Sequence, residues 1–220
     1  MSYCKLPGCS RPATGWSGYC NSHRSRLRRH GDVQQDGVIK AQLKPYVQAV
    51  RRRIAKNADN PVWKTMEARW QALVDLAHAE LTTYRNGAPH VRQHRQAYEE
   101  VERLAGNVEP RAVVETALAL YLMADQDPRR FRSDEAFRYQ LARRLRALTE
   151  ANRGSWYDHQ AGRVKKVYRD TPPKATDYLA DLLVEVFGAA GLYLAQLERT
   201  QTEAKREQAK ALWDELQTLT

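Results

Sequence analysis

The chain has 220 residues, 42% of them apolar and 28% charged, and carries a net charge of +10. This composition suits a folded, water-facing protein with a modest core, and no run approaches the ~18 apolar residues that a membrane span needs. No apolar leader stands before Cys4, so the expected compartment is a reducing cytoplasm rather than a secretory one.

The charge is unevenly placed. Residues 1–60 carry 12 Lys and Arg against 3 Asp and Glu, and residues 129–169 carry 12 against 4. Between and after them, residues 61–128 carry 7 against 10 and residues 170–220 carry 5 against 9. Two basic blocks separated by acidic ones point to two surfaces facing a polyanion, because clustered cations gain affinity by releasing condensed counterions. A basic protein without a particular target is the bland alternative.

In chain order, the first element is a cysteine-rich head. All three cysteines fall within the first twenty residues, spaced Cys4-x4-Cys9-x10-Cys20-x2-His23. Three cysteines cannot pair off, and in a reducing compartment they are expected to be metal ligands. Zinc takes four soft or borderline donors in a tetrahedron. Pro7-Gly8 supplies a tight knuckle between the first two sulfurs, and Gly15, Ser17 and Gly18 suit a loop that returns the chain. Cys20 and His23 share one face of a starting helix. That helix runs through Arg24, Arg26, Arg28 and Arg29 and stops at Gly31, placed as a C′ glycine. A metal would stand in for the core that so short a segment cannot build.

The run Cys-x4-Cys, ten residues, "YCNSH" and then "RSRLRRHGD" resembles the short, treble-clef-like zinc finger of phage and mobile-element proteins. The resemblance covers residues 3–32. It implies that Cys4, Cys9, Cys20 and His23 bind Zn2+ and that Arg24, Arg26, Arg28 and Arg29 contact nucleic acid in a bacterial host cell. Some members of that group carry an HNH endonuclease module beside the finger. Such a site needs a histidine base beside metal-holding His or Asn, and the six histidines here do not form that pattern. His90 and His94 are four apart, yet "HVRQH" lacks the glutamate of the zinc-hydrolase motif, and a solvated helix face is the simpler expectation. There is no phosphate-cradling loop, no serine elbow and no cysteine to spare as a nucleophile, so a non-enzymatic protein without catalytic residues is expected.

The remainder reads as helix after helix, which makes the expected fold class mainly α: a zinc-finger head over 1–32, a basic helical connector over 33–60 and a helical bundle over 61–220. Leu43, Val47, Val50 and Ile54 form one stripe, with Arg51, Arg52, Arg53 and Lys56 around it. Asn60-Pro61 opens the next helix, whose stripe is Trp63, Met66, Trp70, Leu73, Ala77, Leu81 and Tyr84, and Asn86-Gly87 closes it. A weaker helix carries Val91, Tyr98, Val101 and Leu104 and ends at Gly106. The helix opened by Pro110 is apolar on most sides and is expected at the centre of the bundle. After Asp127-Pro128, Ser133 caps a helix with Phe137, Leu141, Leu145 and Leu148 inside and Arg138, Arg143, Arg144 and Arg146 around them. This segment reads either as the second helix of a helix-turn-helix or as an arginine-rich surface. The break before it is longer than a helix-turn-helix usually has.

Residues 154–174 read as a short strand pair or ordered loop, with Lys165 and Lys166 among its cations. Trp156, Tyr157 and Tyr168 are placed either to stack on bases or to anchor the loop to the bundle. The last apolar helix is expected to bend at Gly188 or Gly191. Its polar tail returns to Leu212, Leu216 and Leu219, a candidate homodimer contact. The expected function is therefore zinc-dependent nucleic-acid binding, DNA before RNA, with both basic blocks on phosphates and no membrane partner. The competing classes are an assembly protein that binds an acidic protein partner, and a nuclease or recombinase accessory with an unrecognised site.

Overall fold

The structure, a computed structural model, describes residues 2–218 and, within them, every side chain except those of residues 153, 166, 167, 216 and 218. Lys166, Leu216 and Leu219, each singled out from the sequence, thus lie outside the described side chains. Among the described residues the protein is mainly α, in agreement with the periodicities. Its helices are α1 Asn21–His30, α2 Lys40–Lys56, α3 Val62–Arg85, α4 Arg92–Ala105, α5 Pro110–Gln126, α6 Asp134–Arg146 and α7 Pro173–Thr218. One antiparallel hairpin, β1 Arg153–Asp158 with β2 Arg163–Tyr168, joins α6 to α7.

Helix α5 is the axis of the bundle. Pro110 opens it at a position where the missing N–H costs nothing, and every residue from Val113 to Met123 is buried. Helices α2, α3, α6 and α7 pack around it. On α3 the predicted stripe is buried from Trp63 to Leu81. Tyr84 leaves it at the helix end, where Arg95 lies 4.6 Å over its ring. On α2, Leu43 and Val50 reach the core while Val47 and Ile54 pack at its edge.

The last helix does not break at either glycine: α7 runs through both as one helix. Added Cβ atoms explain why glycine stands there. At Gly191 a Cβ would fall 2.3 Å from the Tyr121 ring, and at Gly188 it would meet the Tyr121 hydroxyl at 3.5 Å. These positions let α7 close on α5. One correction concerns hydropathy. An 18-residue window of α7 is long and apolar enough to cross a membrane by composition, but half of it is buried against the bundle.

The segment after α1 is pinned to the bundle rather than trailing free. Gly31 ends α1 with φ 75°, and a Cβ there would press on the Tyr139 ring at 3.0 Å and the Glu135 carbonyl at 3.1 Å. Gln35 is fully buried: its Oε1 accepts from the Arg132 N–H at 3.0 Å, and its Nε2 donates to the carbonyls of Asp36 and Arg130 at 2.6 and 3.2 Å. Gln140 Oε1 accepts from the Val38 N–H at 2.9 Å. Two buried amides thus satisfy backbone groups that would otherwise be lost from water.

Gly191→Ala should destabilise the protein by about 1–3 kcal/mol through overpacking on Tyr121. Gly106→Ala, whose Cβ would meet nothing closer than the Glu102 carbonyl at 3.4 Å, should stay near wild type. Urea denaturation of the two variants checks this, and equal midpoints would contradict the close-approach role of Gly191.

Candidate metal centre and basic surface

The head is built from turns that aim four donors at one point. Leu6-Pro7-Gly8-Cys9 is a tight turn in which the Cys9 N–H donates to the Leu6 carbonyl at 3.1 Å, with Gly8 at φ 80°. That combination is the type II pattern of proline followed by glycine. The Cys4 N–H donates to the Arg11 carbonyl at 2.9 Å, which folds the first two cysteines into a small hairpin. The Thr14 N–H donates to the Tyr19 carbonyl at 3.0 Å and closes the returning loop. Cys20 then caps α1, so His23 emerges one turn inside the helix and faces back to the sulfurs.

The ligand atoms of Cys4, Cys9, Cys20 and His23 all lie within 4.8 Å of one another. His23 Nδ1 is 3.3 Å from Cys4 Sγ and 3.4 Å from Cys20 Sγ. A tetrahedral ion with metal–sulfur bonds of about 2.3 Å and metal–nitrogen bonds of about 2.0 Å spaces neighbouring S and N atoms by roughly 3.5 Å. The cluster therefore fits a metal ion. Between residues 2 and 30, the buried residues are Cys4, Cys20 and His23, so the interior of the head consists of its ligands. The Arg11 backbone N–H and guanidinium beside Cys9 hold its thiol down to about 7, which favours the thiolate that a metal takes.

Helix α1 carries its four arginines on two sides. Arg26 pairs with Asp36 at 3.4 Å and Arg29 with Asp170 at 2.9 Å, both toward the body. Arg24 and Arg28, one turn apart, face outward. Arg24 bonds only Asn21 Oδ1, at 3.3 Å, and Arg28 meets no acid among the described residues. Trp16, at the tip of the loop closed by Thr14 and Tyr19, is fully exposed, and Arg24 lies against the neighbouring Gly15. Sequence reasoning passed over Trp16; its signal was a tryptophan set beside glycine in a ligand loop, with no apolar stripe to join.

The other arginines are largely engaged inside the fold. Arg51 reaches the buried Glu115 at 2.7 Å, and Arg53 pairs with Glu198 on α7. Arg52 has no acid partner among the described residues and lines a groove with Lys56 and Lys205. On α6, Arg138 pairs with Asp181, and Arg143 pairs with Asp170 at 2.9 Å, opposite Arg29 on the same carboxylate. Arg144 is half-buried, 3.5 Å from the Val38 carbonyl, and burial pulls its guanidinium below its usual range. Arg146 is only 4% exposed: it donates to Glu100 at 2.7 Å and to the Arg169 carbonyl at 2.8 Å. The expected surface role of Arg146 is thus corrected, since it lies on the inner face that also buries Tyr139 and Ala142.

Helix α6 does not stand free as a reading helix either. Helix α1 covers one side of it, and α5 and α7 cover others. On the hairpin, Lys165 pairs with Asp158 and lies 5.4 Å over the Trp156 ring. Tyr168 anchors the hairpin beneath Arg143 and Arg146, whereas Trp156 and Tyr157 remain about half exposed. His90 and His94 do not converge: His90 Nε2 lies 3.0 Å from Glu80, and His94 stacks on Tyr178 with centroids 3.9 Å apart.

His30 sits where α1 meets α6, its Nδ1 3.0 Å from Gln140 Nε2. Burial, then Arg143, Arg26 and Arg29, hold its pKa down to about 4, below the ordinary 6.5. The unfolded chain therefore takes up a proton before the folded one, and stability falls as pH drops from 6.5 toward about 4. Thermal melting of His30→Gln across that window should show a shallower loss than wild type, since acid release of the metal is common to both proteins. Parallel curves would contradict a buried neutral His30.

No family model, no curated protein and no solved structure matches this chain. The likeness of residues 3–32 to short zinc fingers therefore rests on the four donors themselves.

Proposed function

We propose that this is a non-enzymatic, zinc-containing nucleic-acid-binding protein of a phage, prophage or transposon, acting on DNA rather than RNA in the cytoplasm of a bacterial host. One observation carries the proposal: the four-donor cluster fixes the start of a helix whose outer side presents Arg24 and Arg28. Three thiolates and an imidazole suit zinc and disfavour calcium and magnesium, which take oxygen ligands. Cys4, Cys9, Cys20 and His23 would hold the ion, and its role would be structural, with no coordination position left open for substrate.

Among the described residues, Arg24, Arg28 and Arg52 are the exposed members of the predicted nucleic-acid-binding set without an internal acid partner, Arg144 lacking one but being half-buried. Trp16 beside Arg24 supplies an exposed ring for stacking. The internal pairs of Arg51, Arg53, Arg138, Arg143 and Lys165 make the head the principal phosphate-facing surface.

On duplex DNA, the salt dependence of binding should become shallower in Arg24→Gln/Arg28→Gln, by about 0.9 in log–log slope for each phosphate no longer neutralised. Arg146→Gln should leave that slope unchanged and instead cost about 1–3 kcal/mol of stability, because the buried Glu100 loses one of its two arginine partners and keeps only Arg103, at 2.6 Å. Fluorescence anisotropy at several salt concentrations reads the first effect and urea denaturation the second. An unchanged slope in the double variant would overturn the nucleic-acid role and leave an acidic protein partner as the target of this face.

A further inference from the structure

Past Lys205, which still lines a groove with α2, the helix α7 carries on beyond the bundle. Every described side chain from Arg199 to Gln217 is exposed, over a helical length of about 28 Å. An isolated helix of that length is marginal in water and gains stability by packing an apolar face. Near its end stand Leu212 and Trp213, 59% and 62% exposed.

The same helix helps to form an open groove lower down. Its floor is Tyr121 of α5, one wall is Phe131 and Phe137, and the opposite wall is the α7 stripe Val184, Gly188, Leu192 and Ala195. Leu192 is 66% exposed at the lip. The Tyr121 hydroxyl is buried there and has no hydrogen-bond partner among the described residues.

We propose that the exposed end of α7 from a second copy of this chain docks antiparallel in this groove, placing Trp213 of the partner subunit against Leu192 and Tyr121. Helical geometry supports the match. At 100° per residue, the stripe of Gly188, Leu192, Ala195 and Arg199 continues through Arg206, Lys210, Trp213 and Gln217. One strip of α7 thus holds both the groove wall and the segment that fills the groove, which is what a self-complementary twofold contact requires. Trp213 opposite Leu192 overlaps residues 188–217 of both copies, about 45 Å of helix. In this register Arg206 falls opposite Arg199, whose charge Asp125 already neutralises, and Lys210 falls opposite Ala195, one turn from that pair at the groove rim. Of the two rim acids, Asp125 and Asp134, the latter is the free carboxylate among the described residues. This association is independent of nucleic-acid binding.

Size exclusion with light scattering on the full chain at micromolar concentration tests it. Wild type should run at twice the 25.3 kDa chain mass. Leu192→Glu and Trp213→Glu should each run at the single-chain mass with unchanged circular dichroism, as both side chains are exposed within the chain. Trp156→Glu, on the hairpin, should remain a dimer. A monomeric wild type would overturn the proposal, and so would dimers that persist in both α7 variants. Loss of the dimer in Trp213→Glu alone would also overturn groove docking, because it would mean that the two helix ends pair with each other outside it.

Discussion

The head depends on a single convergence: three sulfurs and one imidazole nitrogen lie within 4.8 Å of one another. Residues 2–30 bury no apolar cluster, and their interior is the ligand set. For such a segment, the free energy of metal binding is folding free energy. Everything the head presents follows from it. Cys20 fixes the first turn of α1, His23 fixes its rotation about the axis, and together they decide which arginines face out.

From this head the constraint passes to the body through polar contacts, with Val38 of the following segment buried in the core. Asp170 holds Arg29 from α1 and Arg143 from α6 on its two oxygens. Gln35 and Gln140 tie down the segment after α1, and neutral His30 completes the contact. Ion pairs at half-exposed sites contribute little individually. The buried amides are the stronger element, because separating them from their partners strands backbone groups away from water.

The helices were legible in the sequence wherever one face is apolar. The α3 stripe from Trp63 to Leu81 and the nearly all-apolar α5 follow directly from periodicity. The metal ligands were legible because cysteine is scarce and its spacing is specific. The roles of the arginines were not. A count of charge cannot tell an arginine that faces solvent from one that reaches a carboxylate far along the chain, as Arg53 reaches Glu198 and Arg146 reaches Glu100. Arg146 did offer a hint, since it shares a helix face with Tyr139 and Ala142. Gly188 and Gly191 were ambiguous for a related reason: glycine marks a bend and a close helix approach with the same letter. Only Tyr121, seventy residues earlier in the chain, distinguishes them.

The total of 36 Lys and Arg side chains therefore overstates the cationic surface available to a partner. Much of it neutralises the acidic segments with which it alternates, and the outward cations of α1 are few and sharply placed. That placement depends on the metal. X-ray absorption at the zinc edge, on protein purified without chelator, tests this most directly. The predicted result is one zinc per chain with three sulfur neighbours at about 2.3 Å and one nitrogen at about 2.0 Å. Protein that is folded yet free of metal, or zinc bound through oxygen alone, would contradict it.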